Sequence, residues 1–517
     1  MSGSLDRMRV TITVDGETLA EPGVAALAGV WVAQRTDRPA IAEVALQDFE
    51  ESAGPVADLG AEIAISIGES ALFLGDVTAV ERAFDGAGAT ELRVRASDRL
   101  HRLAKRQQPR TFGDMTPGDI AEQMASGAAL EIERHADGVA RRLRLQADKS
   151  DLDFLLDVLS RSGLRAATRL GVLHIYGAEG HGDPVELETG TSLLSARETT
   201  SADCWREQAS LSGWSVLDAK RFEAQVAADQ GDSPQAFSGL GSRWFADRLA
   251  ESEDELRITA EADLVRATGL ARTLSGTAEG NVALAPGTPI RIADAPGSNA
   301  ALVLASVLHR IEPEAGYVCE FSTAYDTRQR VKAPQVTLGD VVDVDDPDEL
   351  SRVRLSLYGN DDLVTDWLPT VSPGAGEEKG IFLLPEVGDR VLVILPDGDP
   401  ARGIVLGGMI GGEKTPDFGE DRTAQPRGVG LRSADGQELY LAGDKALARL
   451  KSSEGDRLEM SGGAELVAAG KLALKSEDDG EFEAGGSLTL SARGDLTIEA
   501  PGRSITIRAR AVDFQQG

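Results

Sequence analysis

A mainly β protein with some α-helix is expected from three features. Apolar and polar residues alternate in many short runs, five or six such runs crowd between residues 335 and 412, and an eight-residue repeat closes the chain. Alternation puts every second side chain on one face of a strand, whereas a helix needs apolar residues three and four apart. The expected order is two barrel-like β subdomains with helical insertions (1–334), a small barrel (335–412), a linker (413–429) and a β-helix intertwined from three chains (430–517), making a homotrimer.

Composition narrows the class. The chain has 517 residues, a formal net charge of −32 and only 4% aromatics, against 57 glycines. Such acidity argues against nucleic acid or an anionic membrane as partner, because both are held through excess Lys and Arg. At 41% hydrophobic the chain is too apolar for a wholly disordered acidic tail. Cys204 and Cys319 make no disulfide framework and read as small buried hydrophobes in a reduced compartment. The start, MSGSLDRMRVTITVDGE, lacks a signal-peptide design, and the apolar run from Gly23 to Ala33 is too short to span a bilayer. Synthesis and assembly in the cytoplasm are expected, with any export by a non-standard route.

Residues 8–100 read as strands at Arg9–Val14, Glu62–Ile67 and Glu91–Val94, with a turn at Asp85-Gly86. Thr116-Pro117 with Asp119 reads as an N-cap, a first-turn proline and an acidic third position. Ser150 and Asp153 open a second helix whose Leu152, Leu155, Leu156 and Leu159 share a face, and Gly163 stops it. A strand at Leu170–Tyr176, a helix over Ser242–Glu253 and strands from Leu256 to Phe321 complete the N-terminal region. The next candidate strands are Val336–Val342, Val353–Leu357, Asp366–Val371, Gly380–Leu384, Arg390–Leu395 and Gly403–Leu406. Short strands split by Pro, Gly and Asp turns fit a closed barrel of the OB kind. Gly411–Gly428 is rich in glycine, proline and charge and marks a boundary.

The final segment is the most informative. Gly462, Gly470, Gly486, Gly494 and Gly502 lie on one eight-residue ladder, with Asp478 on the missing rung. Two and four residues after the rungs stand Ala464/Leu466, Leu472/Leu474, Gly480/Phe482, Leu488/Leu490 and Leu496/Ile498. The phase slips by one to Ile505/Ile507 and recovers at Val512/Phe514, while Leu439/Leu441 and Leu458/Met460 fit loosely upstream. Both members of a pair face one side of a strand, and the glycine turns the chain for the next. A unit with two inward side chains cannot build its own core, so stacking is required. Three chains wound together bury every pair on a shared axis. The interior of such a prism is narrow, and beyond Tyr440 the only aromatics are Phe482 and Phe514.

The segments DVDDPDELSRVRL (Asp343–Leu355), TDWLPTV (Thr365–Val371) and PEVGDRVLVILPDGDPARGIVLGG (Pro385–Gly408) closely resemble the OB domain of valine-glycine-repeat (VgrG) spikes and related phage-baseplate spikes. The resemblance rests on Asp346, Pro347, Arg352, Val353, Trp367, Gly388, Asp389, Val391, Gly398, Asp399, Pro400 and Gly407. Asp98–Met124, Asp148–Gly163, Glu279–Ile292 and Ser306–Phe321 are similar to the hub of the same family, so the resemblance spans nearly the whole chain. It implies the structural hub-spike of a contractile injection system. A trimeric hub would seat a hexameric inner tube, and the β-helix would puncture the target envelope when the sheath contracts. Implied partners are inner-tube and baseplate proteins, effector cargo and a PAAR-type tip protein at the blunt end by Phe514. The particle implied is cell-released, a cytoplasmic or membrane-attached assembly, or a type VI machine, and the compact length without a fused effector favours a phage-derived extracellular-type system.

No catalytic chemistry is expected. The five histidines, His101, His135, His174, His181 and His309, avoid the barrel and the repeat, and H-E-x-x-H, G-x-S-x-G and clustered C-x-x-C are absent. His174 and His181 have metal-like proximity but no evident third ligand, so no metal or cofactor is expected; His309 reads as a packed, hydrogen-bonded histidine. Asp343, Asp345, Asp346, Asp348 and Glu349 lack EF-hand spacing and read as a solvated turn. GGMIGGEKT (Gly407–Thr415) misses the phosphate-loop pattern because Glu413 displaces the lysine. No lysozyme-like domain separates barrel from repeat, no extension follows AVDFQQG, and the H-x-H iron site of some phage spikes is missing. The alternative reading is a β-helical tail fibre or adhesin, with glycan-cleaving activity if a carboxylate pair lies on a carbohydrate-binding face.

Overall fold

The computed structural model describes residues 10–18, 27–47, 57–84, 90–147, 149–215, 220–228, 240–293, 301–325, 334–358, 363–376, 379–411, 428–443 and 446–515. Strands dominate it, as alternation requires, and the chain divides into two compact units, Met1–Gly411 and Gly412–Gly517. The turn expected at Asp85-Gly86 and most of the Gly411–Gly428 segment lie outside the described residues.

The first unit is organised by one eleven-stranded sheet. Its order runs Leu193–Thr200, Arg272–Glu279, Gly316–Ser322, Ser306–Glu312, Leu27–Arg35, Ile41–Gln47, Thr90–Ser97, Ser70–Phe84, Glu62–Ile67, Val10–Val14 and Glu17–Thr18. Early and late strands meet where Ser306–Glu312 pairs antiparallel with Leu27–Arg35, so Ile311 stands opposite Val30. The sequence divides this region into two β-rich subdomains; long-range pairing instead joins residues 10–97 and 272–322 in one sheet over one core, which includes Ile12, Val30, Val44, Ile63, Val307 and Phe321.

A second core lies between those halves, formed by Leu103, Phe112, Ile120, Met124, Leu155, Leu159 and Ile175. Its helices are placed by their caps. Thr116 Oγ1 accepts the Asp119 amide at 3.1 Å while Asp119 Oδ2 accepts the Thr116 amide at 3.0 Å, closing a capping box over helix Pro117–Ser126. Ser150 caps Asp151–Arg161 through the Asp153 amide, and Gly163 follows with a left-handed φ of +70°. The strand expected at Leu170 begins at Val172, because Leu170 and Gly171 form the hairpin turn with φ of +50° and +85°.

Two expectations fail around residue 250. Ser242–Leu249 is a strand, parallel to Gln208–Ser215, and the helix is Glu253–Ala271, where strands were expected from Leu256. The true start signal is Ser252, whose Oγ accepts the Glu255 amide at 3.2 Å ahead of three acidic first-turn residues. The buried face of this helix is Leu256, Ala260, Leu264, Ala267 and Ala271, mostly alanine. Its apolar stripe is correspondingly faint in the sequence.

The small barrel is a four-stranded sheet, ordered Arg354–Leu357, Gln335–Asp343, Arg390–Leu395 and Ile404–Gly408. The expected strand at Asp366–Val371 survives only as bridges, Val353 to Leu368 and Thr370 to Val405. Those bridges join the two edge strands and close the ring around Val341, Leu355, Leu368, Val391, Val393 and Val405. Gly380–Leu384 is not a strand; Ile381, Phe382 and Leu383 are exposed, and the Ile381 amide donates to Pro373 O at 3.0 Å. Replacing Thr116 by Ala is expected to cost about 1 kcal/mol of stability, measured by chemical denaturation, and Thr116→Ser should restore it.

Candidate functional site

The C-terminal unit opens with a five-stranded antiparallel meander, Val429–Arg432, Glu438–Leu441, Ala448–Lys451, Arg457–Met460 and Ala464–Val467. Its register stacks Leu431, Leu439, Leu450, Leu458 and Leu466 directly across successive strands. Val429, Leu441 and Met460 lie on the same face by the two-residue period. All of these side chains are exposed, Leu466 at 51%. Tyr440, by contrast, points to the other face and is buried close to Gly428.

From Val467 onward the described residues form no strand ladder within the chain. The eight-residue period is nevertheless present in the backbone, which bends at 461–463, 469–470, 477–478, 485–486, 493–494, 501–503 and 510. The bends coincide with Gly462, Gly470, Gly486, Gly494 and Gly502, and one falls at Asp478. Only Gly462 and Gly502 among these glycines have left-handed φ, +82° and +70°. Leu472, Leu474, Phe482, Leu488, Leu490, Leu496, Ile498, Ile505, Ile507, Val512 and Phe514 are all exposed, Phe514 at 90%. One chain therefore brings none of the pairs into a core.

The barrel positions are turn and core residues. Asp346 and Arg352 form a bidentate pair, Nε to Oδ2 at 2.8 Å and Nη2 to Oδ1 at 2.6 Å, with side chains 3% and 4% exposed. Asp346 also accepts the amides of Asp348, Leu350 and Arg352. The sequence reading of a solvated turn is thus corrected at this residue: Arg352 and the amides hold its carboxyl well below the usual carboxylate range. Pro347 lies in the turn between them. Val353 and Val391 are buried, and Trp367 is nearly so, with the Arg354 guanidinium 5.8 Å from its ring. Gly388, Gly398 and Gly407 have φ of +93°, +62° and +144°, which L side chains rarely adopt. Asp389 accepts the Glu386 amide at 2.8 Å, and Pro400 begins a short 3-10 turn.

Asp399 and Arg402, in that turn, lock the barrel to the N-terminal region. Arg402 Nη2 lies 2.9 Å from both Glu255 carboxylate oxygens, and its Nη1 donates to Leu249 O at 2.6 Å. Arg141 pairs with the same Glu255, while Arg141 and Arg161 approach Asp399 at 3.9 and 3.8 Å. Burial acts to raise the Glu255 carboxyl, but Arg141 and Arg402 outweigh it and hold it below its ordinary value. The Asp399 carboxyl is likewise lowered against its burial, by Arg161, Arg402 and Arg141.

Away from these elements, the fold supplies the third histidine that spacing does not reveal. His135 comes within 3.4 Å of His174, Nε2 to Nδ1, and one ring nitrogen from each of His135, His174 and His181 lies within 4.8 Å of the others. Parallel pairing of Glu131–Arg134 with Val172–Tyr176 does this, setting Glu133 opposite His174. His309 is buried with Nδ1 2.9 Å from Tyr317 Oη and 3.2 Å from Cys319 Sγ, the packed histidine expected; burial pushes it down to about 4. Cys319 is buried as expected, whereas Cys204 is half-buried. No helix among the described residues is long and apolar enough to cross a membrane.

The Asp346–Arg352 pair generates a pH-dependent prediction. Asp346→Asn removes the buried bidentate partner of Arg352 and leaves it the exposed Asp348 carboxylate, 2.6 Å from Nη2, so the expected cost is roughly 1–3 kcal/mol at pH 7. A carboxyl lowered by folding stabilises above its unfolded pKa of about 3.9, and the benefit is lost as pH falls below that value. The difference between wild type and variant in urea denaturation should therefore be full at pH 7 and shrink on acidification below pH ~4.

Residues 4–292, more than half of the chain, match the Alg8 N-terminal domain, and residues 337–409 match the type VI secretion system/phage-baseplate injector OB domain. No curated protein matches the chain. Among solved structures it is similar to the E. coli c3393 protein, described as a type VI secretion component resembling T4 bacteriophage tail proteins gp27 and gp5. That match has 16% identity over 78% of this chain and 99% of that one, with a TM-score of 0.51. It is also similar to a chain of the half-lidded Francisella PdpA-VgrG complex, with 8% identity over 89% of this chain and 88% of that one and a TM-score of 0.53. Identities this low speak to the fold, and the two domain matches speak to descent. The chain belongs to the Alg8 N-terminal domain family, carries a type VI secretion system/phage-baseplate injector OB domain behind that region, and is VgrG-like in fold.

Proposed function

We propose that three copies of this chain form the hub-spike of a contractile injection particle. Residues 1–334 form the hub that seats the hexameric inner tube, 335–412 the OB collar, 413–429 a linker and 430–517 a triple-stranded β-helix that punctures the target envelope. The observation that carries this reading is the exposed apolar repeat. A Leu ladder crosses the meander, apolar pairs continue to Phe514, and the backbone bends every eight residues without pairing to itself. Exposed apolar surface on this scale marks an interaction site, and unpaired strand edges beside it need backbone partners. Two more chains in the same conformation provide both.

The role is mechanical, requiring no bond to be made or broken in a substrate. Baseplate and inner-tube proteins contact the hub, effector cargo travels with the particle, and a separate PAAR-type protein caps the apolar end at Phe514. The acidic charge is consistent with a place inside a protein assembly: of the net −32, only about −5 falls on residues 413–517.

Light scattering on the purified full chain should give three times the 54.5 kDa chain mass. Leu488→Asp with Leu490→Asp places charges on the shared axis of every chain and should convert the trimer to lower-mass species. Each buried Leu stabilises by roughly 1.5–3 kcal/mol, and an unpaired buried carboxylate costs more. A monomeric wild-type chain, or a trimer indifferent to both substitutions, would refute the β-helix.

A further inference from the structure

The histidine cluster lies in the N-terminal region, remote in sequence from the spike repeat, and nothing in the puncturing role uses it. The geometry points to a binding site for a divalent transition-metal ion of the zinc class, held by His135, His174, His181 and Glu133. Three separate devices converge on it. Glu133 and His135 stand two apart at the end of strand Glu131–Arg134 and so face one side. His174 lies opposite Glu133 in the neighbouring strand, and the His135 amide extends the pairing by donating to Ile175 O at 2.8 Å. His181 arrives from the loop after that strand, where its amide donates to Gly287 O at 2.9 Å. Gly180 and Gly182 flank it with φ of +73° and +75°, and Gly287 packs so close that a Cβ there would meet the His181 ring at 2.7 Å.

The donor set fits the ion. The 3.4 Å between His135 Nε2 and His174 Nδ1 matches the edge of a tetrahedron whose metal–nitrogen bonds are about 2.0–2.1 Å. Glu133 Oε2 lies 3.3 Å from His174 Nδ1, and its Oε1 lies 3.9 Å from His135 Nε2, so a carboxylate is at hand as fourth ligand. Three imidazoles with one carboxylate suit zinc and its neighbours rather than magnesium or calcium, which take oxygen donors. Burial first, then the adjacent His174 and His135, pushes His181 down to about 4, and burial lowers His174 too. His181 Nε2 is buried without a hydrogen-bond partner.

The rings stack at centroid distances of 4.4, 4.7 and 5.7 Å, the closest pair being His174 and His181. Small ring rotations would bring the nitrogens onto one ion. A bound ion would tie the His181 loop, and through it the Gly287 segment, to the strands bearing His135 and His174. Its consequence is a staple between the two cores of the N-terminal region.

Full-length chain is stripped with a chelator, dialysed and titrated with Zn2+ alone, in parallel with Mg2+. Calorimetry and elemental analysis should find one zinc per chain, no Mg2+ binding and a rise in melting temperature with zinc. His135→Ala, which removes a side chain 26% exposed, and His181→Ala should each weaken zinc binding about tenfold or more and abolish the thermal shift. Circular dichroism and solution mass verify that both variants remain folded. Absence of saturable zinc binding, or zinc binding that both folded variants retain, overturns the site; so does equal affinity for Mg2+.

Discussion

An eight-residue strand-and-turn unit has two apolar side chains on one face and nothing of its own to lay over them. Everything at the C-terminal end of this chain follows from that shortage. The meander aligns Leu431, Leu439, Leu450, Leu458 and Leu466 into one column and leaves the column open. Beyond Val467 the backbone keeps the period through its bends but makes no ladder of its own. Hydrophobic burial scales with the apolar area removed from water, so a repeat that exposes every pair has its stabilisation in reserve. The aromatic poverty of this segment fits the proposed β-helix, whose thin layers would suit Leu, Ile, Val and Ala better than rings.

The first unit meets a different requirement. Its barrel is closed by bridges at Leu368 and Thr370 rather than by a full fifth strand, yet it is tied to the N-terminal region by charge. Arg402, Arg141 and Arg161 face Glu255 and Asp399 in a network assembled from a strand, two helices and a barrel turn. Buried ion pairs contribute little net stability when compared with well-packed apolar groups, but removing one partner is costly. Their value here is directional: the guanidinium fork fixes how the barrel turn meets helix Glu253–Ala271.

How much of this could be read from the residues depended on how local the determinant was. Thr116 with Asp119, and Ser150 with Asp153, act over a single helical turn, and both caps form where the spacing places them. The octad is equally local and reappears as backbone bends. Helix Glu253–Ala271 is hard to read because alanine makes most of its buried face, and the expected helix over Ser242–Glu253 ends where the true one, capped by Ser252, begins. The sharing of one sheet by residues 10–97 and 272–322 was invisible for another reason: pairing across so much chain leaves no trace in any window. His135 illustrates the same limit. It stands thirty-nine positions from His174, and only the parallel register of two short strands makes them neighbours. Asp346 looked like one acid in a solvated run until Arg352 was seen to cover it.

The repeat is also imperfect, and besides the phase slip at Ile505/Ile507 three of its imperfections sit together. Asp478 occupies a glycine rung, Gly480 replaces the first apolar residue of the pair, and Phe482 is the largest side chain between Tyr440 and Phe514. A perfectly uniform octad would let one chain slide along another by a whole unit at almost no cost, since every layer would look alike. In the proposed trimer, one layer with a missing side chain beside an oversized one would break that degeneracy, because the bulk of Phe482 would find the space left by Gly480 only when the copies are level. In that trimer this layer would act as an alignment key, choosing one stagger among several that would otherwise compete.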